Sequence, residues 1–201
     1  MKFDIVLVGI GGEGVQTVEV IIAKAASIEG YHVRGVQLHG LAQRGGLIST
    51  FVRFGSEKEI YSPITMQANA DLVFAFEQLE AARAIYYARK KKTVFVMNDC
   101  VYMPVYANLL NINYPNASEV IKKIKPFAKK IHFLKTSDIS KKEFGELVFG
   151  NLILVGFAVG KGLLPLKKES LIEAIKETVP REVEKNLKAF EMGLKFKNVK
   201  L

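Results

Sequence analysis

Cysteine is almost missing from this chain: Cys100 is the only one among 201 residues. That excludes an internal disulfide. It also excludes a zinc or iron–sulfur site built from this chain alone, because such sites take about four ligands. Histidine is nearly as scarce, and His32, His39 and His132 are scattered, so no metal set is legible. No apolar run approaches the about 20 residues of a membrane span. The opening "MKFDIVLVG" is interrupted by Asp4 and feeds straight into a glycine turn, unlike a secretory leader. These absences predict a cytoplasmic protein with no membrane segment. Internal repeats and low-complexity linkers are lacking too, so residues 1–201 read as one domain.

Acidic residues are outnumbered, 20 against 29 Lys and Arg, for a formal charge of +9. The lysines lie in "KKK" at 90–92, "KKIKPFAKK" at 122–130, pairs at 141–142 and 167–168, and the tail "KFKNVK". Such an excess suits nucleic acid, an acidic cofactor or an acidic partner. The plainer reading is a solvated lysine-rich surface, common in heat-adapted proteins. The lysines are spread over several helix faces, and no Arg–aromatic cluster marks a base-stacking platform. Nucleic acid is therefore not expected as a partner.

What the chain does have is apolar patterning, with 49% hydrophobic residues. Strands are predicted near 2–8, 31–38, 47–55, 70–76, 93–98 and 130–136, the third leading into a hairpin whose return is "EIYSP" at 59–63. Helices are predicted near 13–30, ending at Gly30, and at 77–90. A further helix begins at "ASEVIKKI" with Ser118 as cap. Others cover 147–160, 167–180 and 181–196. Residues 99–116 break the pattern and read as a loop with short strands; Tyr102, Tyr106 and Tyr114 within it read as core residues before interface residues. The fold class is α/β and Rossmann-like: a mainly parallel sheet flanked by helices, a β-hairpin insertion and a helical C-terminal region.

Two glycine stretches carry the functional signal. "VGIGGEGVQT" from Val8 puts Gly9, Gly11 and Gly14 on a G-x-G-x-x-G spacing, with Gly12 between. In a dinucleotide site an acidic residue about 20 positions later binds the ribose. The second strand ends in Val36, Gln37, Leu38 and His39, and none is acidic. Glu13 inside the turn would also repel a pyrophosphate. A free-standing Rossmann-like nucleotide-binding protein is thus the alternative reading, and a tight strand–helix turn the favoured one. The second stretch, "HGLAQRGG" at 39–46, crowds His39, Gln43 and Arg44 between Gly40 and the pair Gly45-Gly46. It follows a strand on the carboxyl-end edge, where α/β sheets hold ligands. Arg44 has the fork that grips a carboxylate or phosphate, and His39 is the residue type that transfers a proton or orients a neighbour.

Taken in order, the segments resemble the gamma-type component of the 2-oxoacid:ferredoxin oxidoreductases over nearly the whole length. "GIGGEGVQT", "VQLHGLAQRGGLISTFVRFG", "ADLVFAFEQLEAAR" with Glu77 and Glu80, "VMNDCVYMP", "FGNLILVGFAVGKGLLPL" and "EKNLKAFEMG" carry the resemblance. The H-G-x-A-Q-R-G-G core is similar to the small (beta) subunit of the indolepyruvate branch. The resemblance implies a subunit of an enzyme that oxidatively decarboxylates a 2-oxoacid, here an arylpyruvate such as indolepyruvate, to an acyl-CoA. It implies that thiamine diphosphate, Mg and Fe–S clusters sit on a large catalytic subunit, with coenzyme A as co-substrate and ferredoxin reached through the complex. It also implies no catalytic residue and no resident cofactor on this chain, which alone would be inactive. Gly9, Gly11, Gly12, Gly14, His39, Gln43, Arg44, Gly45, Gly46 and Glu77 are then candidates for cofactor-binding or the subunit interface. An apolar face left bare by a missing partner can pair two copies as a homodimer.

Overall fold

A computed structural model describes residues 1–42, 44–103, 107 and 109–196. Six strands form one sheet: β1 (Phe3–Ile10), β2 (His32–His39), β3 (Leu47–Gly55), β4 (Leu72–Ala75), β5 (Val94–Asn98) and β6 (Lys130–Leu134). Their order is β2-β3-β1-β4-β5-β6. β1, β4, β5 and β6 pair parallel, while β3 is antiparallel to both β1 and β2. β1 sits inside because its apolar run fills both faces. Ile5 and Leu7 join one core and Val6 and Val8 the other, the alternation of a strand buried on both sides.

The helices in chain order are α1 (Val15–Ile28), α2 (Gln78–Arg83), α3 (Ala117–Ile124), α4 (Thr136–Phe144), α5 (Gly150–Gly160), α6 (Lys168–Thr178) and α7 (Val183–Leu194), and the first core lies under α1, α5, α6 and α7. The short α2, a 3-10 turn at Ala84–Tyr87 and α3 cover the second core. Gly30 stands at a φ of +80° just past α1, and Gly145 at +82° separates α4 from α5.

Five expectations need correction. The hairpin exists, but its arms are β2 and β3, and 59–63 is no strand. β3 has β1 on one side and β2 on the other, so no edge is free for a return. Instead Ser56 and Glu59 form a capping box around a 3-10 turn at Glu57–Glu59. The cap of α3 is Asn116, not Ser118. Asn116 accepts from the Glu119 amide at 3.0 Å and Glu119 answers on the Asn116 amide at 2.9 Å; Ser118 has no acidic partner three residues on. The helix expected over 77–90 is only six residues long before it tightens into the 3-10 turn. Among the described residues, 99–116 contains no strand, and Tyr102 is 43% exposed rather than core. Tyr106 lies outside the described residues. No helix of the described residues is long and apolar enough to cross a membrane.

Candidate functional site

The two glycine stretches, about 30 residues apart in sequence, meet. The Gly11 amide donates to the Gly46 carbonyl at 2.8 Å, and the Gly45 amide donates to the Gly11 carbonyl at 3.1 Å. The meeting follows from topology. β3 runs back beside β1, so the segment entering β3 lies against the turn leaving β1. Gly45 can close this bond because it holds a φ of +72°, where only glycine sits without strain.

Each glycine of the first turn has its own task. A Cβ on Gly9 would stand 2.7 Å from Val15 Cγ2 and 3.2 Å from Phe76 Cβ, so Gly9 serves close strand–helix packing. Gly12 and Gly14 hold φ values of +96° and +77°. The Arg44 stem lies over Gly12, with Cγ 3.7 Å from where a Cβ would be. Asn151 of α5 donates its Nδ2 to the Glu13 carbonyl at 2.6 Å and ties the turn to the C-terminal helices.

A cavity of about 390 Å³ opens between the stretches, lined by Gly12, Gln16, His39, Arg44 and Ile48. Its floor is the apolar Ile48; its walls carry a guanidinium, an imidazole and an amide. Arg44 makes no ion pair among the described residues. His39 is exposed, its Nδ1 3.1 Å from the Gly40 carbonyl. A free guanidinium beside the start of α1 makes an anion-friendly edge. Gln43 lies outside the described residues. Gln16 was not singled out by sequence reasoning; it stands in the first turn of α1, and only the closing of the second stretch over it gives it a role.

Glu77 does not join this cavity. It is buried, and it accepts from the Leu79 and Glu80 amides at 2.8 and 3.1 Å as the cap of α2. Its other oxygen takes the Tyr114 hydroxyl and the Tyr102 amide. Its carboxylate is thus turned into the fold, toward the α2 amides and Tyr114, and away from the cavity. Burial raises the Tyr114 phenol, and the adjacent Glu77 raises it further. Glu80 is buried as well, and burial raises its carboxyl against the opposing pull of Arg83.

Cys100 faces the same end of the sheet. Burial, reinforced by Glu13, Glu77 and Asp99, pushes its thiol up to about 11, so it stays protonated at neutral pH. A protonated thiol is a poor metal ligand. Among the described residues no three His, Cys, Asp or Glu side chains stand together as a metal set. One protonated thiol among the described residues does not fit a resident iron–sulfur cluster.

Residues 4–196 match the family described as "Pyruvate ferredoxin/flavodoxin oxidoreductase". The chain belongs to this family. It is similar to "Indolepyruvate oxidoreductase subunit IorB" of Archaeoglobus fulgidus, 34% identical over 96% of this chain and 94% of that one. The counterpart of Thermococcus kodakarensis is 32% identical over 96% and 95%. The "Pyruvate/ketoisovalerate oxidoreductases common subunit gamma" of Pyrococcus furiosus is 28% identical over 90% and 89%. Among solved structures, pyruvate oxidoreductase subunit PORC of Thermotoga maritima shares the fold at a TM-score of 0.69 and 19% identity, covering 96% of this chain and 95% of that one. The 2-oxoglutarate:ferredoxin oxidoreductase of Magnetococcus marinus does so at 0.69 and 19%, covering 96% of this chain and 30% of that longer one. As a member of the pyruvate ferredoxin/flavodoxin oxidoreductase family, the chain is a subunit of a 2-oxoacid:ferredoxin oxidoreductase. The family resemblance read from the sequence is thereby borne out, and the first glycine turn belongs to a subunit scaffold.

Proposed function

We propose that this chain is the small subunit of an oxidoreductase acting on indolepyruvate or a related arylpyruvate. The observation that carries this reading is the graded likeness: 31–34% identity to four indolepyruvate oxidoreductase subunits, against 28% or less to pyruvate, ketoisovalerate and 2-oxoglutarate relatives. The large subunit carries thiamine diphosphate, Mg and the Fe–S clusters. Thiamine diphosphate supplies the nucleophile and electron sink for decarboxylation, and the clusters conduct electrons to ferredoxin.

This chain's residues do something different. The edge made by Gly9–Gly14 and His39–Gly46 faces the large subunit. Its cavity receives the phosphates of coenzyme A, with Arg44 as the paired donor and His39 and Gln16 as flanking contacts. The short glycine side of the wall lets a bulky anion approach the backbone. The net positive charge of the whole chain raises the encounter rate with so acidic a co-substrate.

Co-expression with the large subunit tests the assignment. Reduction of ferredoxin or a viologen by indolepyruvate requires both chains; full activity from the large subunit alone would defeat it. For the cavity, Arg44→Ala raises the KM for coenzyme A about tenfold or more and leaves kcat within about twofold, the effect of losing one charge-assisted contact of about 1.5–3 kcal/mol. An unchanged KM overturns the phosphate reading.

A further inference from the structure

Glu77 carries more than a helix cap requires. The cap of the six-residue α2 needs one oxygen, and Asp, Ser or Asn supplies that. Glu77 is only 2% exposed and has no cationic partner among the described residues. Burying a carboxylate that way is costly unless every lone pair is used. Here they are used across the chain. One oxygen serves the cap; the other reaches Tyr102 (amide nitrogen 3.4 Å away) and the hydroxyl of Tyr114.

The segment after β5 is pinned by the same turn. The Gln78 amide donates to the Cys100 carbonyl at 3.1 Å, and Gln78 Nε2 donates to the Asp99 carbonyl at 2.9 Å. So fixed, Tyr102 presents its ring to the second glycine stretch. Its Cε1 and hydroxyl oxygen stand 3.7 Å from where a Cβ on Gly45 would be. Gly45 in turn bonds Gly11, and Arg44 is the residue before it.

We infer that Glu77, with Tyr114 and Tyr102, is a positioning residue that holds the second glycine stretch against the first and so sets where Arg44 stands. The physical chain runs from the Tyr114 hydroxyl to the Glu77 carboxylate, to the Tyr102 backbone, and from the Tyr102 ring to Gly45. It acts through contact alone and moves no proton. The catalytic consequence rests on the coenzyme A reading above; the structural consequence does not.

Glu77→Asp separates the two tasks, because Asp keeps a good cap but is one methylene too short to hold Tyr114 and Tyr102. Tyr114→Phe removes only the hydroxyl and keeps the ring. Hydrogen exchange of the full chain is followed by mass spectrometry in peptides covering 9–16, 39–47, 78–88 and 150–160. The expected result in both variants is exchange at least about tenfold faster in 39–47 and 9–16, with 150–160 unchanged. In the assembled enzyme, both variants raise the KM for coenzyme A and spare kcat. Exchange confined to 78–88, or no change in 39–47 in either variant, overturns the inference and leaves Glu77 a cap. Faster exchange in 39–47 with an unaltered KM supports the positioning role and overturns the coenzyme A reading instead.

Discussion

Asp4→Ala lowers the stability of the chain by about 3–5 kcal/mol, the loss expected when one partner of a buried ion pair is removed. Asp4 is 0% and Arg53 5% exposed, and Asp4 Oδ1 takes Arg53 Nε at 2.8 Å. The second carboxylate oxygen accepts from Asn69 Nδ2 at 2.9 Å, with Lys2 Nζ 3.6 Å away. Arg53 then reaches past the sheet. Its Nη1 donates to the carbonyls of Ser62 at 2.6 Å and Ile64 at 3.3 Å and gathers the segment after β3. Without Asp4 the guanidinium remains buried beside carbonyls but without counter-charge. In a domain of this size the loss corresponds to a fall in Tm of about 6–20 °C. Denaturant titration reads it as a lower midpoint at unchanged slope. An apolar double variant, Asp4→Leu with Arg53→Met, loses less than Asp4→Ala, because it strands no charge. A single-variant loss below about 1 kcal/mol would show that water reaches Arg53. The cluster lies at the start of β1 and the glycine turn at its end, so Asp4→Ala chains that fold retain the wild-type KM for coenzyme A.

Gly193→Ala is the second large effect, costing about 1–3 kcal/mol or more through overpacking. Helices α5 and α7 cross with their backbones in contact. A Cβ on Gly193 would stand 2.8 Å from the Phe157 nitrogen and 2.9 Å from Gly156 Cα, and nearer still to the Ile153 carbonyl oxygen. Backbone cannot swing aside as a side chain does, so the helices must part. The same holds for Gly156, whose Cβ would meet the Phe190 carbonyl and, at 3.0 Å, the Leu194 nitrogen. Both substitutions strain one crossing, so their double variant costs less than the sum. Function follows, because α5 carries Asn151, which holds the Glu13 carbonyl of the first glycine turn. The measured result is a Tm lowered by about 2–12 °C together with a raised KM for coenzyme A. A variant as stable as the parent would mean the crossing is looser than these distances.

Local features were readable wherever a short stretch decides its own conformation. The apolar runs at β1, β3 and β5 are strands close to their expected bounds, and Gly30 ends α1. The absence of an acid after β2 already spoke against a dinucleotide, because that test needs one position in one strand. The failures share a cause. "EIYSP" looks like a return strand by its composition, yet strand formation needs a partner edge, and β1 occupies the one it would use. Glu77 belongs to a conspicuous Glu-x-x-Glu pattern, and nothing in that pattern tells that its carboxylate turns inward to Tyr114, 37 residues on. Tyr102 reads as core by its type, yet its backbone is held at the rim and its ring stands against Gly45.

The amino-acid sequence by itself determined the order of strands and helices, the two glycine stretches and the lack of a cysteine set. Each depends on propensity, periodicity or residue type within a few positions. Only the tertiary structure decided that β3 enters the sheet antiparallel between β2 and β1. That placement sets Gly45 and Gly46 on Gly11 and lays Arg44 over Gly12. The physical reason is that strand pairing is settled by which faces can be buried together across the whole chain, and no local stretch carries that information.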